Sequence, residues 1–173
     1  MADHYGDLPG ALAYNEARGN TAWSAAGVTD ALRTAALVRA SSALDGIYGD
    51  RFAGRKTGGR SQALAWPRTG AYDHCAGEDI RSDEIPQEVV KAAYELALAE
   101  LLQPGSSSPT VTPGRLVKRQ KVDTIEREFF GPYDGVPSDA DDMRPVLMSV
   151  EDALRCILRP ASRGALYGFV ARA

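Results

Sequence analysis

RFAGRKTGGRSQALAWPRTGAYDHCAGEDIRSDEIP, residues 51–86, is the stretch on which the reading of this chain turns. Glycines and prolines punctuate it, and its charge changes sign partway. From Arg51 to Arg68 it carries Arg51, Arg55, Lys56, Arg60 and Arg68 with no acid. From Asp73 to Glu88 the chain carries Asp73, Glu78, Asp79, Asp83, Glu84 and Glu88 against Arg81 alone. A connection of this length is uncommon inside a small domain, and such connections are usually functional or disordered. The stretch therefore reads as a docking loop between two helices.

Its local signals agree with docking rather than chemistry. GRKTGGR is not a phosphate-binding P-loop, because the earlier glycine is missing at the required spacing. The plainer alternative is a solvated basic turn. Ala63-Leu64-Ala65-Trp66-Pro67-Arg68 runs an apolar patch into an aromatic whose following proline fixes an extended backbone. Trp66 is expected to bury itself under the loop, with Arg68 presented at a subunit boundary.

Working outward, both flanks read as helices. Thr29 is a good N-cap, Asp30 favours the helix dipole, and Leu32, Ala36, Val38, Ala40, Leu44, Ile47 and Tyr48 recur near helical spacing up to Gly49. Downstream, Pro86 suits the first position of a helix. Val89, Val90, Ala93, Tyr94, Leu96, Ala97, Leu98, Leu101 and Leu102 supply a wide apolar arc, and Gln103-Pro104-Gly105 stops it. A shorter helix is expected from Pro9 to Arg18, followed by a turn and Trp23 as a core plug.

Beyond a Ser106–Thr110 linker the period changes. RLVKRQKVDTIEREFF, residues 115–130, reads as two short strands with a tight connection near Val122–Thr124. A lone hairpin is only marginally stable in water, so this one is expected to pair with a neighbouring copy or lie across the helices. Residues 131–144 read as loop. Ser149 is expected to cap a last helix, with Asp152 reaching back to the cap backbone and Pro160 stopping it. The tail ASRGALYGFVARA is apolar with arginines and no acids. It reads as a segment that orders on a partner, the alternative being that it packs on its own domain.

Together these readings give a mainly α fold: a small helical bundle with a β-hairpin, an extended loop and a C-terminal tail. Residues 1–158 form one domain with the hairpin near 115–130, and residues 159–173 form the docking tail.

Composition bounds the function. The chain has 173 residues, 25% charged and 44% hydrophobic, with a formal net charge of −3. That balance offers no global argument for nucleic-acid binding. No apolar run approaches the ~20 residues that span a bilayer. The first residues show neither the basic start nor the apolar stretch of a signal peptide, which points to the cytoplasm. Cys75 and Cys156 lie far apart and are expected as free thiols, and no set of about four ligands suggests a metal site. No nucleophile elbow, catalytic triad, carboxylate pair or dinucleotide fingerprint is present, so neither an enzyme nor a cofactor is expected.

ALAYNEARGNTAW, TDALRTAALVRASSALDGIYGDRFAGRKTGGRSQALAWPRTG and IRSDEIPQEVVKAAYELALAELL resemble a family of tailed-phage proteins labelled DnaT-like and found among head–tail connectors (adaptors). The resemblance covers most of residues 11–130. Its most specific part is the long helix, the G-R-K…Q-A-L-x-W-P-R-T-G loop and I-P-x-x-V opening the next helix. DHCAGEDIRS and the tail beyond Pro160 depart from the pattern.

The resemblance implies a structural virion protein: a ring of about twelve copies beneath the portal protein. The ring would extend the DNA channel and connect the capsid to stopper or tail proteins. Genomic DNA would pass through its lumen without sequence-specific binding. The protein would be made in the host cytoplasm and reside in the virion neck. Residues 1–158 then form the adaptor domain. Subunit contacts fall to Arg51, Arg55, Arg60, Trp66 and Arg68 of the basic arm and Asp79, Asp83 and Glu84 of the acidic arm. Portal contacts fall to Arg159, Arg163, Leu166, Tyr167, Phe169 and Arg172. Arg68→Glu is then expected to block assembly while leaving the monomer folded.

The alternative is a single-strand nucleic-acid-binding module. It would use Arg115–Lys121 for phosphates and Phe129, Phe130 and Tyr133 for base stacking, with Glu126 and Glu128 opposing that charge.

Overall fold

Two helices carry most of the buried apolar surface. The computed structural model describes residues 3–108, 117–121, 126–129 and 147–159, with 117–121 and 126–129 as backbone strands. Helix α1 spans Leu8–Glu16, α2 Asp30–Tyr48, α3 Gln87–Leu102 and α4 Met148–Leu154. A 3-10 turn, Thr21–Ser24, follows α1 and buries Trp23 completely.

The helix starts follow from local chemistry. Asp7 Oδ1 accepts from Gly10 N–H at 2.6 Å and caps α1. Thr29 Oγ1 accepts from Leu32 N–H at 3.3 Å and caps α2, so one orphan donor at each start is satisfied. Helix α2 turns Ala36, Leu37, Ala40, Ser41, Leu44 and Tyr48 inward. Helix α3 answers with Val89, Ala92, Ala93, Leu96 and Ala97. Alanines on both faces let the two helices pack closely, and α4 covers α3 with Val150 and Leu154. No described helix is long and apolar enough to cross a membrane.

The expectation of a mainly α bundle is corrected by what lies between α2 and α3. Residues 51–86 are not an extended loop. Strand β1, Arg55–Lys56, pairs antiparallel with β2, Arg68–Thr69, in the register Arg55↔Thr69 and Lys56↔Arg68. Strand β3, Ala71–Asp73, pairs with β4, Glu78–Ile80, in the register Ala71↔Ile80, Tyr72↔Asp79 and Asp73↔Glu78. A third ladder joins β5, Val117–Lys121, to β6, Glu126–Phe129. The described residues thus form a mixed fold of four α-helices and three two-stranded antiparallel ladders. The physical reason is backbone accounting: a segment packed against a core must pair its N–H and C=O groups, and here it pairs them with itself.

Gly54 and Gly70 shape the junction. Gly70 has φ +76° and separates β2 from β3 by one residue. Gly54 has φ +72°, and a Cβ there would collide with the carbonyl of Thr69 across the β1–β2 ladder. The Trp66–Pro67 peptide is cis.

The end of the described chain also differs from its sequence reading. Leu147, not Ser149, occupies the N-cap of α4, and no side chain caps it. The helix stops at Leu154 instead of continuing to Pro160. The chain then turns so that Ile157 and Leu158 enter the core. Leu158 bridges to Phe52, and Arg159 N–H donates to Arg51 C=O at 2.8 Å. Residues 147–159 therefore form a strap that returns across the start of the central stretch.

Candidate interaction surface

Beneath the central stretch lies a buried polar hub. Tyr5 is fully buried, and its hydroxyl donates to Asp45 Oδ1 at 2.6 Å and accepts from Trp66 N–H at 3.1 Å. The other oxygen of Asp45 accepts from Ala65 N–H at 2.7 Å. One carboxylate on α2 thus fixes the Ala65–Trp66 backbone, while the Trp66 ring meets Phe52 edge-on at 5.5 Å. Burial pushes the Tyr5 phenol up, and the neighbouring Asp45 charge adds to it. Burial likewise raises Asp45, against the hydrogen bonds from Tyr5 and Ala65.

Arg68 closes the same region. Its guanidinium donates to Ala53 C=O at 2.7 Å and Gly54 C=O at 2.7 Å, and to the Ala65 and Phe52 carbonyls at 3.3 Å each. The residue is 7% exposed. Burial pulls its pKa down, and the nearby Arg159 charge pulls the same way. Its fork of donors collects carbonyls that the short ladders leave unpaired.

Where Asp45 is half-buried, the carboxylate of Glu100 near the end of α3 is buried outright. Glu100, 2% exposed, accepts from Arg39 Nε at 2.9 Å, Gly105 N–H at 2.7 Å and Ser107 N–H at 2.9 Å. Burial pushes its pKa up. The hydrogen bonds from Gly105, Ser107 and Arg39 outweigh that, and the carboxyl sits below its ordinary value. Neither Asp45 nor Glu100 emerged from the sequence reading. The available signal was an acid on the buried stripe of a helix: Asp45 follows Ser41 by one turn, and Glu100 follows Leu96 and Ala97.

The sequence-selected interface residues separate into two groups. Trp66 and Arg68 face inward and hold the stretch together from beneath. Arg51 is half-buried, paired with Glu151 at 3.3 Å and set over the Tyr48 ring at 5.6 Å. The outward group is Arg55 and Arg60 on the basic side and Asp79, Asp83 and Glu84 on the acidic side, all exposed. Asp83 is engaged by Arg81 at 2.7 Å. Arg159 is exposed but fastens the strap, its Nη2 donating to Asp50 C=O at 2.6 Å and Phe52 C=O at 3.2 Å. Arg163, Leu166, Tyr167, Phe169 and Arg172 lie outside the described residues, as do Arg115, Phe130 and Tyr133. Beside the strap is a groove of about 440 Å³ bordered by Arg51, His74, Met148, Glu151, Arg155 and Arg159.

The cysteines are not free thiols. Cys75, in the β3–β4 turn, and Cys156, after α4, form a disulfide with Cα atoms 5.2 Å apart across a sequence separation of 81. The strap brings them together, which spacing alone does not reveal. Ligand atoms of Asp73, Cys75 and Cys156 lie within 4.8 Å of one another. Both sulfurs are consumed by the disulfide, and Asp73 Oδ1 accepts from the N–H groups of Cys75 and Ala76.

No curated protein and no solved structure matches the chain. A family model does, and it spans residues 1–173: the chain belongs to the family described as "Putative DnaT-like ssDNA binding protein".

Proposed function

We propose that this protein is a structural assembly protein, a head–tail adaptor that forms a ring under the portal and connects capsid to tail. The observation that carries the reading is the β5–β6 ladder. It is a sheet of two strands, joined to no third strand among the described residues. Such a ladder is marginal in water, and among the described residues both its edges are unpaired, so strands from neighbouring copies or partners would complete it. Exposed Arg55 and Arg60, against exposed Asp79 and Glu84, supply surfaces of opposite sign for a repeating contact. Individual screened pairs are weak, so the ladder edges and repetition carry the affinity. The sequence resemblance to connector proteins supports the same reading.

A second reading has its own support. The family description speaks of single-stranded DNA binding, and β5 contributes Lys118, Arg119 and Lys121. Against it, the register sets Arg119 opposite Glu128 and Lys121 opposite Glu126, which cancels the net charge of those two pairs along the ladder.

One experiment separates the two. The full chain is titrated with a fluorescent oligothymidine at low salt, and in parallel its mass is measured alone and with portal. The adaptor reading expects a portal-dependent ring and no tight oligonucleotide binding. A monomer that ignores portal but binds oligonucleotide with a steep salt dependence sinks it in favour of the second reading.

A further inference from the structure

The Cys75–Cys156 bond joins an exposed residue to a half-buried one. Cys75 sits in the β3–β4 turn, where Asp73 Oδ1 holds the Cys75 and Ala76 N–H groups at 2.8 and 2.9 Å. Cys156 sits in the strap, with its carbonyl accepting from His74 N–H at 2.8 Å. The three residues after it are also tied down, by the burial of Ile157 and Leu158 and by the hydrogen bonds of Arg159 to Asp50, Arg51 and Phe52. The backbones are thus held in a pairing geometry independently of the sulfurs. Cys75 is the exposed end of the bond, and exposed disulfides are the exchangeable ones.

We propose that Cys75–Cys156 is a thiol–disulfide exchange site. Low-molecular-weight disulfides and thiols of the glutathione class decide there whether the 147–159 strap is covalently locked to the β3–β4 turn. In the oxidising direction the exposed Cys75 thiolate attacks one sulfur of glutathione disulfide, and one glutathione thiolate leaves and is protonated. The Cys156 thiolate then attacks the Cys75 sulfur of the mixed disulfide and expels the second glutathione. The protein loses two electrons and two thiol protons, and one glutathione disulfide becomes two glutathiones. Reduction runs the same steps backwards, with the incoming thiolate attacking Cys75 because that residue is the more exposed of the two.

The consequence is local. With the bond open, the strap still buries Val150, Leu154, Ile157 and Leu158. The protein therefore stays folded, but the strap opens more often because its opening no longer works against a cross-link. The chain continues from Arg159 into the C-terminal tail, so the lock sets how firmly the base of that tail is held.

The test uses the full-length chain equilibrated in oxidising and in reducing glutathione buffers. It reads thiol alkylation by mass and amide hydrogen exchange over residues 147–159. Expected are no alkylation and at least ~tenfold slower exchange in the oxidised protein, against two alkylations in the reduced one. Cys156→Ser should trap a glutathione adduct on Cys75, whereas Cys75→Ser should accumulate far less adduct on Cys156. Thiols that remain alkylatable in the oxidising buffer overturn the proposal. So do equal exchange rates in the two buffers, or equal adducts on the two variants. The wild-type comparison decides the matter even if a variant fails to fold.

Discussion

Arg68 and Arg159, 91 positions apart, converge on one acceptor: the Nη2 atoms of both donate to the carbonyl of Phe52, at 3.3 and 3.2 Å. Two cations are held beside each other because each is also held by other carbonyls, Arg68 by three more and Arg159 by that of Asp50. The contact ties the end of the strap to the base of the first ladder. It makes Arg68 an internal fastener and changes what its replacement should do.

Arg68→Ala should cost about 3–5 kcal/mol, because buried carbonyls lose their donors. Arg68→Lys should recover only part of this, since one ammonium cannot span the same acceptors. Arg68→Glu should fail to fold stably, in contrast to the folded, assembly-deficient monomer expected from the sequence. Denaturant unfolding followed by circular dichroism measures all three. Wild-type stability in Arg68→Ala would overturn the role assigned here.

The outward cations should behave oppositely. Arg55→Glu with Arg60→Glu should leave unfolding within about 0.5 kcal/mol of wild type, as for surface changes away from packed features. If the proposed ring forms through this face, the double variant should lose it while remaining a folded monomer. Analytical ultracentrifugation with and without portal reads the outcome. Undiminished rings would remove this face from the interface.

Half-buried Asp45 and buried Glu100 should give opposite pH dependences. Asp45 has a raised pKa in the folded state. Its contribution is therefore fully present below the ordinary aspartate value and is lost as pH rises through the folded value. Glu100 has a lowered pKa. Its contribution is present above the ordinary glutamate value and is lost as pH falls through the folded value. Glu100→Gln should cost about 1–3 kcal/mol at neutral pH, because an amide nitrogen then faces a donor. The gap to wild type should shrink on acidification. For Asp45→Asn the gap should instead widen as pH falls. Urea titrations across the acidic range compare the variants, and parallel curves would contradict both assignments.

Gly54 and Gly59 form an internal control, since both have positive φ, +72° and +63°. A Cβ at Gly54 meets the Thr69 carbonyl, and one at Gly59 meets nothing within 4 Å. Gly59→Ala should cost about 1 kcal/mol for backbone conformation alone. Gly54→Ala should cost roughly 1–3 kcal/mol more, because the ladder must shift. Thermal melts of the two variants test the order, and a smaller loss at Gly54 would reverse it.

The elements legible in the sequence were those whose cause is local. Thr29 marks the start of α2 through a hydrogen bond three residues away. Helices α2 and α3 announce themselves by apolar residues repeating over four or more turns, and the β5–β6 hairpin by a change of period. The fold class was misread where local signals are too short to register. Strands β1 to β4 are two or three residues long, and two residues cannot display a period of two. Their pairing satisfies backbone groups that meet only once the chain is folded.

The residues 51–86 therefore carried two kinds of information. By itself the sequence determined that the stretch lies between two core helices, that Trp66 belongs inside, and that basic and acidic side chains occupy separate arms. Only the tertiary structure decided that Arg68 points inward, that Asp45 and Tyr5 hold the Trp66 backbone, and that Cys75 meets Cys156. Each of those depends on segments distant in the chain arriving at one place. Side-chain direction and sulfur pairing are set there by burial and hydrogen-bond satisfaction, which no window of neighbouring residues contains.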